Sequence, residues 1–362
     1  MRAPLVGAAA MCVAVLGGLG SASPAAAGPP AYEGVVRTSV VWSSVVRSGA
    51  VAASAVSQVV GDGTPASCTS AAVVRAVALG GTITFACGPR PKRIVMQATA
   101  KVRNDADPDV VIDGGNKVTL SGAGQRRILY MDTCDPAQVW TTDHCNDQPT
   151  PRLTIRNLTF VDGNSTGETY DGGGGGAVFA RGGTLKILGS RFYRNVCDPT
   201  GPDLGGGAVR ALDQYQDAPV TVTRSTFGGS VANGNRCSNG GALSSIGVSW
   251  LVKNSVLSFN QATGRGANPA RPGTPGGGSG GAIYNDGNSM QLRVVSSTIQ
   301  DNHANEGGGA IFFVSNDRTG TLRIEGSTLR RNPNDGFFTA GYPGIFYLGN
   351  GAPVVINSTI TP

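Results

Sequence analysis

The chain has 362 residues and a formal net charge of +6, with only 14% charged residues and 55 glycines. Glycine is therefore about twice as frequent as in an average protein. The charge is spread along the sequence, without a basic run or an aromatic platform motif, so we expect no nucleic-acid partner.

The first 27 residues have the features of a secretory signal peptide. Arg2 supplies a positive charge, an apolar stretch covers residues 5–19, and residues 25–27 are three alanines suited to cleavage. No later apolar segment approaches the ~18 residues that a membrane-spanning helix needs. We therefore expect a secreted protein, extracellular or at the cell surface, with no membrane span.

The cysteines support the same compartment. Loss of residues 1–27 would remove Cys12 and leave six of the seven cysteines, an even number that predicts disulfides in a secreted chain. A metal site is the weaker alternative, because there is no Cys-x-x-Cys motif and no histidine cluster. Several connectivities are possible, and proximity along the chain favours Cys68–Cys87, Cys134–Cys145 and Cys197–Cys237.

Residues 28–66 contain mostly small and apolar residues without a repeat, and we interpret them as a linker, a pro-segment or a loosely attached strand. Thr69 is a candidate N-cap for a short helix over 71–79 that ends at Gly80 and Gly81. Such a helix would cover the open strand edge of the first repeat. The remaining chain, 67–362, is predicted to be a single domain.

A repeat dominates this domain. The phrase Gly-Gly-Ala plus an apolar residue occurs with its alanine at positions 177, 208, 242, 282 and 310, which gives periods of 31, 34, 40 and 28 residues. A second phrase, Ser-x-apolar, is in phase with the first and begins at Ser190, Ser225, Ser255, Ser297, Ser327 and Ser358. Regular self-similarity at such a period indicates a repeat architecture.

Each period contains three short apolar runs, as in 310–313, 321–324 and 327–329. Their length, β-branched residues and alternation are typical of strands. Three strands per period predict an all-β fold, a right-handed, three-faced parallel β-helix of roughly eight coils with a short N-terminal capping helix. Leucine-rich repeats, helical solenoids and propellers fit less well, because their characteristic patterns are missing.

Asparagines close the predicted turns. They tolerate the left-handed region of backbone space and can bond to their own backbone. In a stacked solenoid they would lie one above another, so the sequence suggests an asparagine ladder made of Asn195, Asn260, Asn302 and Asn332.

Two segments resemble known β-helix families. The glycine-alanine turns and Phe-x-x-Asn-like phrases of 175–332, such as Phe192-Tyr193-Arg194-Asn195, resemble the polymorphic outer-membrane repeat. Segment 81–132, with Val111-Ile112-Asp113-Gly114-Gly115, looks like the first coils of pectate-lyase-like proteins. The resemblance implies the fold, which carries lyases, hydrolases, adhesins and inert stalks alike.

In the pectate lyase family, carboxylate-bound calcium neutralises the uronate and an arginine takes the proton. The two motifs typical of that family are each met incompletely. Trp140-Thr141-Thr142-Asp143-His144 has one residue too many, and the phrase over 331–336 ends in Gly336 instead of arginine. No catalytic residue is therefore transferred from the family.

Stacking still predicts where a site would lie, because equivalent loops of successive coils are about 4.8 Å apart. In a candidate catalytic group, Arg318 would be the base or carboxylate clamp, and Asp286 and Asp317 metal ligands or an acid/base pair. Calcium is the one cofactor this arrangement would use. Ordinary turn sequences are the alternative interpretation. The candidate substrate-binding residues are Asp213, Tyr215, Tyr284, Asn285 and Asn316.

The sequence thus leads to two hypotheses about function. In the first, a secreted β-helix binds an extracellular or cell-wall polysaccharide, acidic in kind because the cations are mostly arginine, and β-elimination is an option. In the second, the protein is a non-enzymatic adhesin or a surface-structural solenoid. Clustering of Asp286, Asp317 and Arg318 in one groove would favour the enzyme, and separation would favour the adhesin.

Overall fold

The computed structural model describes residues 56–362, so the predicted signal peptide and the segment up to residue 55 lie outside the described residues. Strands wind through this part of the chain, and all pairings between them are parallel. The N-terminal coils consist of β1 (Ser57–Val60), α1 (Ser70–Leu79), β2 (Gly81–Phe85), β3 (Lys92–Val95), β4 (Ala100–Val102), β5 (Asp109–Ser121), β6 (Leu129–Asp132) and β7 (Arg152–Val161).

The middle coils have shorter strands. Three single-turn 3-10 helices interrupt them at Tyr170–Gly172, Tyr215–Asp217 and Val231–Asn233. The strands are β8 (Val178–Arg181), β9 (Thr184–Leu188), β10 (Arg191–Tyr193), β11 (Val209–Leu212), β12 (Val220–Thr223), β13 (Thr226–Gly228), β14 (Arg236–Cys237), β15 (Leu243–Ile246), β16 (Trp250–Lys253), β17 (Val256–Ser258) and β18 (Gln261–Ala262).

The C-terminal coils continue the same pattern. Their strands are β19 (Ile283–Gly287), β20 (Gln291–Val295), β21 (Thr298–Gln300), β22 (His303–Ala304), β23 (Ile311–Ser315), β24 (Thr321–Glu325), β25 (Thr328–Arg330), β26 (Ile345–Leu348), β27 (Val354–Ile356) and β28 (Thr359–Thr361).

The sheets confirm the predicted all-β parallel β-helix. One sheet has eight strands, β4, β6, β8, β11, β15, β19, β23 and β26, one from each coil. A 17-stranded sheet contains the other two faces, because the long strands β5 and β7 run through both before later coils divide them. A short ladder of β14, β18 and β22 adds a fourth strand position that the three-run pattern did not predict.

The Gly-Gly-Ala phrase precedes five of the strands in the eight-stranded sheet, β8, β11, β15, β19 and β23, and each of its residues has a steric reason. The first glycine has a left-handed backbone, with φ of 76° at Gly206. A Cβ on the second, Gly207, would collide with the carbonyl oxygens of Gly241 and Arg236. The alanine, Ala208 in this coil, is fully buried. The phrase is therefore set by close stacking of the backbone.

An asparagine ladder forms as expected, with one more member than predicted. The side-chain amide of Asn195 donates to Oδ1 of Asn235 at 2.9 Å, and Asn235 donates to Asn260 at 2.8 Å. The chain continues through Asn302 to Asn332, with both contacts at 2.9 Å. Asn235 was missed because its coil lacks the Phe-x-x-Asn spacing.

Of the two backbone reasons expected for these asparagines, the local hydrogen bond is confirmed, since Asn302 Nδ2 donates to the carbonyl of Gln300 at 3.0 Å, but the left-handed conformation was wrong. The left-handed residue is the one before the asparagine, as at Arg194 (φ 53°) and Asp301 (φ 56°). The asparagine itself turns inward, where its Oδ1 accepts a backbone N–H from the preceding coil, as Asn302 does from Asn260 at 2.9 Å. The position therefore selects asparagine for hydrogen bonding between coils.

The Ser-x-apolar phrase has the same explanation at another corner. The backbone N–H of Ser255 donates to Oγ of Ser297 at 3.1 Å, and that of Ser297 to Ser327 at 3.0 Å. Each hydroxyl donates in turn to the carbonyl two residues earlier, as Ser297 does to Val295 at 2.8 Å. Below this corner, Phe160, Phe192 and Phe227 stack in the core.

The N-terminal cap matches the prediction closely. Thr69 is the N-cap and accepts a hydrogen bond from the N–H of Ala72 at 3.2 Å, and Gly80 ends the helix. Val73 and Val77 are buried against the first coils. Within the segment before residue 67, β1 pairs with β2, so residues 57–60 form an attached strand and join the solenoid.

The structure contains three disulfides, Cys68–Cys87, Cys134–Cys145 and Cys197–Cys237, with Cα–Cα distances of 5.6, 4.9 and 4.8 Å. The third joins consecutive coils, since the neighbouring residues Val196 and Arg236 form a parallel bridge. Within residues 56–362, no helix has the length and hydropathy needed to cross a bilayer.

Candidate functional site

The three residues considered for catalysis do not assemble into one group. Asp286 is an outward-facing residue of β19. Its Oδ2 accepts a hydrogen bond from Tyr284 Oη at 3.1 Å, and its Oδ1 accepts one from Asn316 Nδ2 at 3.3 Å. Burial, together with the charge of Asp203, raises the pKa of Asp286. Asn316 therefore lies next to Asp286, and it serves as a structural hydrogen-bond donor to that carboxylate.

Asp317 is occupied by its own turn. Its Oδ1 accepts from the hydroxyls of Ser315 at 2.9 Å and Thr319 at 2.8 Å and from the N–H of Thr319 at 3.0 Å, and these bonds lower the pKa of Asp317. Arg318 is exposed on the same turn with a left-handed backbone of φ 65°. This geometry belongs to a surface turn.

Two residues expected to contact substrate are buried instead. Asn285 points into the core, where Nδ2 donates to Ser245 Oγ at 2.8 Å. Tyr284 points outward but is 0% exposed, because the extra length of the 40-residue repeat folds over it. Asn268 in that insertion donates to Tyr284 Oη at 2.8 Å. The substrate-binding roles expected for Tyr284 and Asn285 are therefore wrong.

The insertion, residues 263–278, is fixed at a second point. Glu306, which is 7% exposed, receives both guanidinium nitrogens of Arg271, at 2.7 and 2.9 Å. It also accepts the N–H of Gly266 at 2.7 Å. Arg271 accordingly lowers the pKa of Glu306.

Calcium does not fit the predicted ligands. Across 56–362, no three His, Cys, Asp or Glu side chains converge in a way that could hold a metal ion. The oxygens of Asp286 and Asp317 already accept hydrogen bonds from protein donors, whereas Ca²⁺ takes six to eight oxygen ligands. We assign no calcium chemistry to these residues.

A cleft lies where the chain turns from the eight-stranded sheet to the 17-stranded sheet. The connection after β11 has seven residues, 213–219, but the one after β15 has only three, 247–249. The short turn leaves a gap beside the long one. Two adjoining cavities of about 260 and 450 Å³ share Asp217 there. We call this the corner cleft, and its lining includes Asp147, Asp213, Gln214, Asp217, Gln291, Arg293 and Thr319.

The loop 213–217 on one side of the corner cleft is strained. Asp213, Gln216 and Asp217 all have left-handed backbones, with φ of 42°, 49° and 56°. Each such residue costs on the order of 1–3 kcal/mol and persists only where the surroundings enforce it. Here Arg181 Nε binds Asp213 Oδ2 at 2.8 Å, and Gln216 N–H donates to Asp147 Oδ1 at 3.2 Å.

Gln214 gives the corner cleft an unsatisfied acceptor. The side chain is 6% exposed, and its amide nitrogen donates to the carbonyl of Leu212 at 3.0 Å. Its Oε1 is buried without a hydrogen-bond donor among the described residues. Since a buried acceptor without a donor costs about 1–3 kcal/mol, a ligand hydroxyl would be favoured beside it.

Sequence reasoning found part of this cleft. Asp213 and the loop around it were expected, and Asp213 lines the smaller cavity, while Tyr215 is half-buried in the same loop and lines neither cavity. Asp147 and Arg293 were missed. Arg293 was visible as an outward position of an alternating strand, but nothing in its spacing related it to residues 213–217.

Several arginines pair with carboxylates of neighbouring coils. On the outer surface they pair with carboxylates one coil away, at 2.6 to 2.8 Å, and these pairs explain why the outer positions carry arginine without invoking an acidic ligand. The pairs are Arg152–Asp109, Arg156–Asp113, Arg181–Asp213, Arg194–Asp162 and Arg331–Asp301.

Comparison with known proteins gives one match. Residues 296–314 match the model of the Chlamydia polymorphic membrane protein repeat. No curated protein and no solved structure matches the chain. The matched segment runs from the serine corner through β21, the asparagine ladder and the Gly-Gly-Ala phrase into β23. The chain thus contains a repeat similar to that family's, within a parallel β-helix.

Proposed function

We propose that the protein is an extracellular or surface-displayed β-helix that binds a polysaccharide in the corner cleft without cleaving it. The observation that carries the proposal is the buried acceptor of Gln214, held against the cleft by a strained loop. Rigid polar groups around a concave site are typical of ligand recognition.

The chemistry of the corner cleft suits sugar hydroxyls. Asp147, Asp213 and Asp217 offer carboxylate acceptors at one end, while Gln291 and Arg293 offer donors at the other. A hydroxyl both donates and accepts, so a sugar chain could bond at both ends. Three carboxylates at one end disfavour a uronate there, so we assign neutral sugar units to the corner cleft.

Cleavage by β-elimination has less support. It would need a base and a charge-neutralising cation beside the scissile unit. Asp286 is bonded to the insertion, Asp317 is held by hydrogen bonds within its own turn, and Arg318 is exposed on that turn without an ion pair to either carboxylate among the described residues. This separation favours the adhesin-like alternative.

The surface location is supported by two features. The matched repeat belongs to a family described as membrane proteins, and the three disulfides suit an oxidising compartment. We propose that the solenoid displays the corner cleft outside the cell.

A glycan-binding assay tests this function. Protein secreted from a disulfide-forming host is applied to an array of cell-wall and extracellular polysaccharides, and hits are measured by calorimetry. We expect Gln214→Ala and Asp217→Asn to weaken binding by about tenfold or more, since each removes a hydrogen bond to the ligand. The exposed Asp335→Asn is the matched control and should bind as the parent does.

Two results would contradict the proposal. One is equal affinity in the cleft variants and the control. The other is release of unsaturated uronate, followed by its ultraviolet absorbance, which would restore the lyase hypothesis.

A further inference from the structure

A second cavity, of about 360 Å³, lies on the outer face of the eight-stranded sheet near its N-terminal end. Lys101 on β4 and Tyr130 on β6 are paired in register and form its floor. We call it the Arg127 pocket, and its lining includes Lys101, Arg127, Tyr130, Asp135, Glu168 and Tyr170. It lies apart from the corner cleft and shares no residue with it.

Arg127 is the central group of this pocket. It is 6% exposed, and its guanidinium lies 5.2 Å from the ring centre of Tyr130 and 5.1 Å from that of Phe179. Nε donates to Gly175 O at 3.2 Å and Nη2 to Gly174 O at 2.8 Å. The arginine is therefore held rigidly.

The third nitrogen of Arg127, Nη1, has no hydrogen bond to a described residue. The nearest carboxylate oxygen, Oε2 of Glu168, is 3.9 Å away, and the Glu168 side chain is mostly exposed. A buried cation is costly unless it is paired at close range. Nη1 thus offers a place for an anion that binds more closely than Glu168 does.

The other charged groups are a second cation and two carboxylates, Asp132 and Asp135, whose Oδ2 atoms lie 3.0 and 2.9 Å from the Tyr130 hydroxyl. Lys101 is exposed, donates to Gln138 Oε1 at 3.1 Å and lies 5.9 Å from the Tyr130 ring centre. Burial alone would raise the pKa of Asp135, but bonds from Gln138, Ala137 and Tyr130 outweigh it and lower that pKa. Asp135 is therefore a hydrogen-bonded structural residue in the wall of the Arg127 pocket, and the ammonium group of Lys101 is available to an anion.

Tyr170 supplies an aromatic surface at the rim. Its hydroxyl is anchored to the carbonyl of Cys134 at 2.8 Å, and the residue is 43% exposed. An anchored, exposed ring is suited to stacking on the apolar face of a pyranose, because it adds contact area at little entropic cost. The pocket thus combines a ring platform with two cations.

We propose that the Arg127 pocket binds the carboxylate-bearing unit of an acidic saccharide. The sugar carboxylate would approach Nη1 in place of Glu168 and reach Lys101, and the pyranose would lie against Tyr170. Arginine binds carboxylates with directional hydrogen bonds, which favours this ligand. Acidic saccharide is thus recognised here, whatever binds in the corner cleft.

Calorimetry with trigalacturonate and its methyl ester tests the proposal on the full secreted protein. We expect trigalacturonate to bind at least about tenfold more tightly than the ester, because hydrogen bonds to charged groups are the stronger ones. Lys101→Met and Tyr170→Ala should each weaken binding about tenfold. Lys186→Met, an exposed lysine on β9, is the matched control and should change nothing. Glu168→Gln should tighten binding because it removes the competing carboxylate.

Arg127→Lys is the most direct variant, but it also alters the packing on Phe179. The unfolding of Arg127→Lys is therefore measured together with its binding of trigalacturonate. If this variant is unstable, the exposed Lys101 and Tyr170 variants test the proposal instead. Equal affinity for acid and ester, no binding of either, or equal effects of Lys101→Met and Lys186→Met would overturn the proposal. The corner cleft and the Arg127 pocket share no residue, so loss of trigalacturonate binding in Lys101→Met and loss of polysaccharide binding in Asp217→Asn are independent results.

Discussion

The asparagine ladder and the corner cleft both place side chains from successive coils against one another. In the ladder every amide repeats the contact of its neighbour, and each coil satisfies the one before it. In the corner cleft the connection after β15 is four residues shorter than that after β11, and the stacking leaves Gln214 Oε1 without a donor. Regular stacking stabilises this molecule, and breaks in its regularity provide room for ligands.

The largest effect is expected where a covalent bond reinforces the stack. Replacing both Cys197 and Cys237 by alanine should lower the free energy of unfolding by about 4 kcal/mol, because the disulfide closes a loop of about 40 residues. Removing Cys134 and Cys145, which are separated by 11 residues, should cost about 3 kcal/mol on the same basis. Denaturant unfolding measures both. A larger loss at the shorter loop would show that local structure decides the effect.

The next largest effect on stability is expected in the asparagine ladder. Asn260→Ala should cost about 3 kcal/mol, because it removes the Oδ1 that accepts from both the backbone N–H and the Nδ2 of Asn235, and it removes one of the two donors to Asn302 Oδ1. Asn288→Ala, at an exposed turn, is the control and should change stability by less than about 0.5 kcal/mol. Similar losses in both variants, measured by the same unfolding assay, would remove the ladder from the stabilising features.

Two carboxylates contact the insertion over β19, Glu306 and Asp286, and the stability that each contributes should respond oppositely to pH. The pKa of Glu306 is lowered, so its contribution is present above the ordinary glutamate pKa and is lost as pH falls through the folded value. Glu306→Gln should therefore cost about 1 to 2 kcal/mol at neutral pH and much less in acid.

Asp286 is the matched opposite case. Its pKa is raised, so the protonated form is favoured in the fold and stability is lost as pH rises through the folded value. Asp286→Asn should be slightly more stable than the parent at neutral pH and equal to it below the ordinary aspartate pKa. Unfolding curves at neutral and acidic pH measure both variants. The same direction in both would contradict the opposed environments.

The fold was predictable because the repeat reflects backbone contacts that recur in every coil. Gly207 and Ser297 occupy positions where a side chain either collides or bonds with the next coil, and such constraints leave a periodic trace. The sites were poorly predictable for the opposite reason. Arg127 and Glu168 are 41 positions apart and belong to no repeated phrase, and Tyr284 fits the periodic outward position but is covered by the insertion.

The smallest effect on stability is expected at the surface arginines, and it tests whether they bind a ligand or pair with carboxylates of neighbouring coils. Arg152→Gln breaks the pair with Asp109, in which both side chains are substantially exposed, so it should cost less than about 1 kcal/mol. Added salt should shrink the difference, because exposed pairs are screened. Unfolding at low and high ionic strength measures this. If Arg152→Gln instead leaves stability unchanged and weakens binding of trigalacturonate, the outer arginines act on ligands and not between coils.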